Sequence, residues 1–431
     1  MAEPCENWLS PARIRAWATV LLIFEILIFA MFVAGAHGWI VTLPNPTSTD
    51  FVSFHAAGSL AWAGTPELAY NMAAHYAAEQ AATEPDIPYQ FFFYPPVFLL
   101  LLAPLSRLPY LFAYLLFEGA TLALYCFAVK PLLAQRDRGW WIPVLAYPAV
   151  FWTLGLGQNS LLTAALLCFG LRFLEKRPVV AGLLFGLLCY KPHIGVLIPV
   201  ALLAGRHFRA CFAAALTVGL LVAGSVVIFG LAPWQVFLEH ALSNSEIYSS
   251  GRIDLRGVVT PFAFARLLGF PASIASLLQA ATGLAAAVMV WFAWRRPGPI
   301  APRAATLLAA TLLAAPVLLL YDLMIAHLAM VWMLLARRGR RLLLPEALLV
   351  VLLFLSPLAC RSVAQITQVQ IAPLVSVFLL VWAFRNTGQR TSPSEQCDQR
   401  DSGNHQRPAD HAPNVDRMDL DAEQLEMVHR Q

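Results

Sequence analysis

The chain has 431 residues, of which 59% are hydrophobic and 13% charged, with a formal net charge of +4. Together with a mean hydropathy of +0.65, this composition excludes an ordinary soluble domain. Apolar runs bounded by arginines or by Pro/Gly breaks recur along the sequence, and they predict an all-α polytopic membrane protein. The sequence contains no GxGxxG, GxxxxGK[ST], HExxH or GxSxG motif, which argues against soluble-type nucleotide or hydrolase chemistry.

The first apolar run, residues 16–36, is predicted to be a retained helix, since it is longer than the core of a signal peptide. No Lys or Arg occurs between Arg15 and Arg107. Because positive charge marks cytoplasmic loops, the polar stretch of residues 38–94 is predicted to be a first external loop. Asp50 is the first carboxylate beyond that crossing, and we expect the chemistry there.

Residues 48–50 form a helix-start signal, followed by an apolar stripe through Phe51 and Phe54. This pattern predicts an amphipathic helix on the membrane surface that ends at residues 64–66, with a second short helix over residues 67–82. Asp50 could cap the first helix, act as a base, or do both. The helix N-terminus would favour its ionised form.

The segment 89–96 combines aromatic residues, among them Tyr94, with two prolines at a predicted helix start. It could be an entry turn with an interfacial aromatic belt. Alternatively, it could floor a groove for a lipid-linked substrate.

Clusters of Lys and Arg alternate with the apolar runs and predict a bundle of 10–13 transmembrane helices paired as hairpins. The predicted outward tips are residues 155–159, 191–193, 231–272, 321–322 and 360–365. Arg107 does not fit this alternation of basic cytoplasmic clusters and outward tips. Either residues 95–106 form a half-span, or the charge rule fails at one cluster.

Two of these tips carry polar groups that a plain turn does not need. Gln158 and Asn159 follow a Gly-rich break, and irregular backbone at membrane depth is tolerated only where it faces protein or water. Lys191 and His193 flank a proline between short apolar runs. The lysine could reach the interface with its long stem or bind a phosphate.

The later tips add further candidates. Tyr321, Asp322 and His327 interrupt an apolar region and could form part of a site or only start a helix. Arg256 belongs to the second predicted external loop, residues 231–272, whose arginines oppose the charge bias. They could bind a phosphate or remain solvated.

The polar composition of residues 385–431 predicts a disordered cytoplasmic tail after a membrane domain of residues 1–384. The tail holds 6 Lys+Arg and 9 Asp+Glu, so the rest of the chain carries +7, which is +4 minus −3. That excess indicates membrane topology and no nucleic-acid partner. The seven cysteines include no CxxC pair and imply neither a disulfide framework nor a metal site.

Taken in order, several segments resemble the GT-C glycosyltransferases, and family 87 in particular. The matching pieces are Asp50-Phe51, Phe54-His55-Ala56-Ala57, Gly64, Tyr70-Asn71, Phe93-Tyr94-Pro95-Pro96, Ala103-Pro104-Leu105, Gly157-Gln158-Asn159, Gly182, Gly186, Lys191-Pro192 and Tyr321-Asp322. They span residues 45–335. The arginines of the second loop and the acidic tail depart from the pattern.

The resemblance implies an inverting transfer of mannose, another hexose or a pentose from a polyprenyl-phosphate donor to a lipid or envelope glycan. It implies that Asp50 is the general base, and that Lys191, helped by His193 or Arg256, stabilises the departing phosphate. The isoprenoid would lie near Tyr94, and the site would face outward from a bacterial inner membrane. The scheme requires no cofactor, and a divalent metal stays open.

Two other classes remain open from the sequence. A transporter or flippase of lipid-linked saccharides would favour repeated halves and polar residues at the membrane midplane, neither of which is evident. In a noncatalytic scaffold, Asp50 would be only a helix cap.

Overall fold

The structure is a computed structural model that describes residues 10–34, 50–133, 138–249, 254–337 and 340–388. Within these ranges the protein is 79% helical and contains no β-strand, so the predicted all-α class is confirmed. One isolated antiparallel bridge joins Val258 to Leu319.

The first third of the chain combines two long helices with a group of short ones. Its helices are α1 (Pro11–Ala34), α2 (Phe51–Trp62), α3 (Met72–Ala82), α4 (Leu99–Leu105) and α5 (Tyr110–Leu133). The 3₁₀ helices Pro66–Tyr70 and Pro96–Phe98 precede α3 and α4. The single helix predicted over residues 67–82 is wrong, because the chain breaks at Asn71. The side chain of Asn71 accepts a hydrogen bond from the Ala74 N–H at 3.1 Å and caps α3.

The middle third is a series of helices separated by tight turns. They are α6 (Trp141–Leu145), α7 (Pro148–Leu156), α8 (Ser160–Phe173), α9 (Pro178–Leu187), α10 (Pro192–Gly195), α11 (Ile198–Ala204), α12 (Phe208–Phe229) and α13 (Ala232–Ser249). Several of these helices begin with a proline, which is tolerated there because the N–H groups of the first turn have no partner within the helix. Much of the second predicted external loop, residues 231–272, is helical, since α13 lies within it.

The last third contains five longer helices after a short one. Its helices are α14 (Pro261–Leu267), α15 (Ala272–Arg295), α16 (Ile300–Ala314), α17 (Met324–Ala336), α18 (Leu344–Thr367) and α19 (Ala372–Asn386). The tip predicted at residues 360–365 is wrong, because α18 continues to Thr367. The predicted tail from residue 385 begins within α19, and residues 389–431 lie outside the described ranges.

Among the described residues, five helices are long and apolar enough to cross a membrane: α1, α5, α12, α15 and α18. Seven shorter apolar helical segments, of 10–17 residues, accompany them. The chain is thus a multi-pass membrane protein, while the predicted number of 10–13 spans stays a prediction. Large apolar side chains on the long helices are exposed, such as Phe212 on α12 and Leu277 on α15, as expected where a helix faces lipid.

Helices α9 and α12 approach each other closely through small residues. A Cβ atom added at Gly182 would lie 2.3 Å from the Ala210 carbonyl oxygen, and one at Gly186 would lie 2.5 Å from the Thr217 Cβ. Two small residues four apart allow such backbone contact between membrane helices, where dispersion replaces the hydrophobic effect as the driving force.

Helix α2 is buried within the protein and is not the amphipathic surface helix that the sequence predicts. The predicted apolar stripe is inward, but Val52, Ser53 and Gly58 are buried as well. At Gly58 an added Cβ would lie 2.3 Å from the Leu102 carbonyl oxygen of α4. The mistake has a physical origin: small and apolar residues on the other faces of α2 are covered by α3 and α4 and not by lipid.

The predicted outward tips at residues 155–159, 191–193 and 321–322 lie at one end of the bundle, and the basic residues at the end of α8 and the start of α16 lie at the other. Asp50 contacts Gln158, and Lys191 contacts Asp322, at what we call the Asp50 end. At the other end, the basic end, Arg303 pairs with Glu175 at 3.0 Å. Helix α8 connects the two ends, and the rise from its first residue to Arg172 is about 18 Å.

Arg107 is the exception to the charge rule. Its guanidinium carbon lies 5.2 Å from the centre of the Trp62 ring at the end of α2. The segment Pro96–Leu105 is therefore a short helix within the Asp50 end, and it does not bring Arg107 to the basic end. The charge rule therefore fails at Arg107, and Lys191 lies at the same end of the bundle as Asp50.

Candidate active site

Asp50 directly precedes α2, but its side chain does not cap that helix. No hydrogen bond joins the carboxylate to the first turn. Instead, Asp50 Oδ2 accepts a hydrogen bond of 2.7 Å from Gln158 Nε2. The helix positions the carboxylate by packing, because Phe51 and Phe54 are buried in the aromatic core below it. The cap interpretation is therefore wrong.

A glycine permits the contact between Asp50 and Gln158. Gly157 ends α7 in the left-handed region, with φ of +69°. A Cβ atom at this position would lie 2.5 Å from the Phe51 Cβ and 3.0 Å from the Tyr114 ring. The turn between α7 and α8 can thus lie against the start of α2 only if residue 157 has no side chain.

Tyr94 fixes the orientation of the Gln158 amide. Its hydroxyl donates to Gln158 Oε1 at 3.3 Å, and its own carbonyl oxygen accepts from the Tyr70 hydroxyl at 2.9 Å. Because Oε1 is the acceptor for Tyr94, Nε2 is directed towards Asp50. Oδ2 of Asp50 is therefore engaged by an amide donor.

The surroundings of Asp50 raise the pKa of its carboxyl group towards neutral pH. Burial raises the pKa of Asp50 from 3.8 to about 6, and the hydrogen bond from Gln158 opposes that rise. Among the described residues, no Lys, Arg or His forms an ion pair with this carboxylate. A carboxylate with these properties can accept a proton at neutral pH.

A second cluster surrounds Lys191, which is buried between α9 and α10. Its Nζ lies 2.7 Å from Asp322 Oδ1, and the same oxygen accepts from Ser160 Oγ at 2.7 Å. The other oxygen of Asp322 accepts from the Leu319 N–H at 3.1 Å. The Tyr321 ring centre lies 5.5 Å from Nζ. Asp322 thus bonds to the backbone just before α17 and also holds the lysine.

The two clusters are neighbours. Gln158 belongs to the Asp50 cluster and Ser160 to the Lys191 cluster, and one residue separates them in the turn before α8. Tyr94 interacts electrostatically with both Asp50 and Asp322. Asn159, between them, is fully buried, and neither its amide nitrogen nor its oxygen reaches hydrogen-bonding geometry. The Tyr94 hydroxyl lies near it as well.

Two predicted residues lie near the Lys191 cluster without joining it. His193 is half-buried and interacts electrostatically with Lys191 and Asp322. Arg256 is exposed, on a segment whose Val259 N–H donates to the Leu318 carbonyl at 2.9 Å.

Two predicted histidines have other contacts. His55 Nε2 lies 3.1 Å from the Leu108 carbonyl oxygen and joins α2 to the turn before α5. His327 Nδ1 lies 2.7 Å from the Tyr125 hydroxyl, and its ring stacks on Tyr147 with centres 4.4 Å apart. Neither contacts Asp50 or Lys191.

The sequence analysis missed a buried pair beneath α2, His75 and Glu79. His75 Nε2 lies 3.1 Å from the Ser53 carbonyl oxygen, and both oxygens of Glu79 accept from the Gln90 N–H at 3.2 Å. Burial raises the pKa of Glu79 and lowers the pKa of His75, which favours the neutral form of each. Their spacing of four residues on one helix was the available signal.

Ser160 was missed too, although it directly follows Gln158-Asn159. Within the described ranges, no group of three or more His, Cys, Asp or Glu side chains is arranged to hold a metal ion.

Fold and site together define a multi-pass, all-helical membrane protein with a buried polar site at one end of its bundle. Comparison with protein families gives a match to glycosyltransferase family 87 over residues 92–320, more than half of the chain. The chain belongs to this family and is a glycosyltransferase. The matched range includes Tyr94, Gln158 and Lys191, whereas Asp50 precedes it and Asp322 follows it.

Searches of curated proteins and of solved structures gave no match.

Proposed function

We propose that the protein transfers a sugar from a polyprenyl-phosphate donor to a hydroxyl group of a lipid or envelope glycan, with inversion at the anomeric carbon. The observation that carries this proposal is a carboxylate without a countercharge, Asp50, whose partner Gln158 lies in the same turn as Ser160, a partner of the Lys191–Asp322 pair. Mannose is the first sugar to test, and other hexoses or a pentose are alternatives. We place the reaction on the outer face of a bacterial inner membrane, because the Asp50 end is poor in cations.

Asp50 acts as the general base in this scheme. The acceptor oxygen attacks the anomeric carbon, the bond from that carbon to the phosphate oxygen breaks, and the electron pair of that bond leaves with the phosphate. Asp50 takes the acceptor proton. Because Gln158 occupies Oδ2, we assign Oδ1 as the oxygen that receives it.

Lys191 stabilises the phosphate as its negative charge develops. In the structure described above, Lys191 is paired with Asp322, so donor binding must draw Nζ from one anion to the other. A buried pair can be exchanged in this way because the phosphate supplies the same charge. His193 and Arg256 lie on the neighbouring segments and are the proposed helpers.

The isoprenoid chain is proposed to pass the aromatic segment before α4. Phe91 and Phe93 are half-exposed there, with stacked rings whose centres are 5.3 Å apart. They precede Tyr94, so a lipid on these rings would bring its phosphate towards the polar network. The scheme as proposed needs no metal ion.

The decisive experiment replaces Asp50 by Asn in purified protein given polyprenyl-phosphate mannose and a membrane extract as the acceptor source. Removing a general base should lower transfer by about 10²–10⁴-fold. Folding should persist, since an amide can keep the contact with Gln158. Asp86→Asn is the matched control, because Asp86 is an exposed carboxylate in the same region. Undiminished transfer by the Asp50→Asn protein would refute the assignment.

The acceptor requires a separate measurement. Mass spectrometry of lipids and envelope glycans from a strain lacking this protein should show an accumulated molecule one sugar shorter than its normal product.

A further inference from the structure

A cavity of about 950 Å³ lies at the basic end, between α1 on one side and α17 and α18 on the other. Its walls are mostly apolar, with Leu21 and Phe24 from α1 facing Val331 and Phe354, and His327 of α17 is a polar exception. Helix α1 packs mainly on α6 and α7, so the cavity separates it from the rest of the bundle.

The cavity has one charged end. Arg13 and Arg15, near the start of α1, line it together with the apolar residues. From Pro11 to Phe24 the lining extends about 20 Å along the helix axis. One leaflet of a bilayer has a hydrocarbon depth of about 15 Å, so this length suits a headgroup and the chain below it.

The cavity cannot serve the transfer reaction. Phe51, the neighbour of Asp50, packs on Phe117 of α5 with ring centres 5.7 Å apart, whereas Leu133 at the other end of α5 lines the cavity. The rise between Phe117 and Leu133 is about 24 Å. A phosphate held by Arg13 and Arg15 is therefore out of reach of Asp50.

We infer that this cavity binds an anionic glycerophospholipid, with its phosphate at Arg13 and Arg15 and an acyl chain between α1 and α17. Guanidinium groups suit phosphate because their planar donors match two of its oxygens. The lipid completes the packing of α1 and stabilises the protein. This binding is independent of the proposed sugar donor, and it would persist if that donor were wrong.

The test uses the full chain in nanodiscs of phosphatidylcholine alone or of phosphatidylcholine with phosphatidylglycerol. Thermal unfolding and mass spectrometry of retained lipid are the readouts. We expect phosphatidylglycerol to raise the unfolding temperature and to remain bound. Retention should fall about fivefold in Arg13→Ala, as expected for the loss of one arginine beside an anionic lipid headgroup. Arg13 is exposed, so this change leaves the core intact.

Two matched controls sharpen the result. Arg209→Ala removes another exposed arginine outside the cavity and should not change retention. Leu21→Trp places a larger side chain in the path of the acyl chain and should lower lipid retention. Leu27→Trp should not, because Leu27 is 57% exposed and lies outside the cavity. Equal retention of both lipids, or unchanged retention in Arg13→Ala and Leu21→Trp, would overturn the inference. Displacement of phosphatidylglycerol by polyprenyl phosphate would also overturn it, in favour of a second donor-lipid site.

Discussion

The Asp50 cluster and the Lys191 cluster share one turn of the chain but treat charge in opposite ways. Asp50 is only half-buried, and a neutral amide is its partner. Lys191 and Asp322 are 4% and 3% exposed at their side chains and neutralise each other at 2.7 Å. The Asp50 cluster therefore has a charge without a countercharge near solvent, and the Lys191 cluster has a buried ion pair.

This difference in charge compensation suits two roles, a general base at Asp50 and phosphate binding at Lys191. A base must be able to gain a proton, and a carboxylate held by an amide retains that ability. A phosphate-binding lysine must stay charged while no substrate is present, and a buried lysine can do so if a carboxylate accompanies it. The pairing of Lys191 is therefore compatible with a role in phosphate binding, provided that the pair can open.

The largest expected effect comes from breaking the pair. Lys191→Met leaves Asp322 buried without a countercharge and should destabilise the protein by about 3–5 kcal/mol. The double variant Lys191→Met/Asp322→Asn removes both charges and should recover much of that loss. Thermal unfolding of both variants and of Asp322→Asn measures the coupling.

Sugar transfer then distinguishes structure from chemistry. If Lys191 binds the donor phosphate, the double variant should be stable and still inactive. A double variant with normal transfer would show that Lys191 is only structural.

An intermediate effect is expected from Gly157→Ala, which tests whether the turn between the clusters holds them together. The added methyl group would meet Phe51, and a non-glycine residue at this φ adds strain, for a total cost of about 1–3 kcal/mol. Transfer should fall as the amide of residue 158 moves away from Asp50. Gly155→Ala is the control, because an added Cβ there meets nothing within 4 Å. Equal behaviour of the two variants would argue against a positioning role for the turn.

The smallest effect concerns the pH profile. Asp50 must be ionised to act as a base, so kcat/KM should fall as the pH drops through about 6, the raised pKa of this carboxyl. Gln158 lowers that pKa. Gln158→Leu should therefore move the acidic limb to higher pH, and Tyr94→Phe should move it less, because the amide remains. An acidic limb that stays in place in Gln158→Leu would exclude Asp50 as the titrating base.

Much of the fold was accessible from the sequence. Apolar runs of helical length predicted the membrane class, and prolines and glycines predicted many helix ends, because these residues act through the local backbone. Gln158 and Lys191 were singled out because polar groups between apolar runs need a partner, and the structure supplies one for each.

Contacts between residues that are distant in the sequence were not predicted. His55, a candidate from the resemblance to the family, lies with its Nε2 3.1 Å from the Leu108 carbonyl oxygen. The surface helix was predicted from composition, which does not reveal whether lipid or another helix covers an apolar face.

The sequence by itself determined that this is a helical membrane glycosyltransferase of family 87 and which residues break its apolar runs. Only the tertiary structure decided that Asp50 bonds to Gln158 and that Lys191 pairs with Asp322, contacts that join residues 108 and 131 positions apart. The physical reason is that helix propensity and hydropathy are local properties. The side to which each turn is brought depends on how the helices pack, including the contact that Gly157 permits.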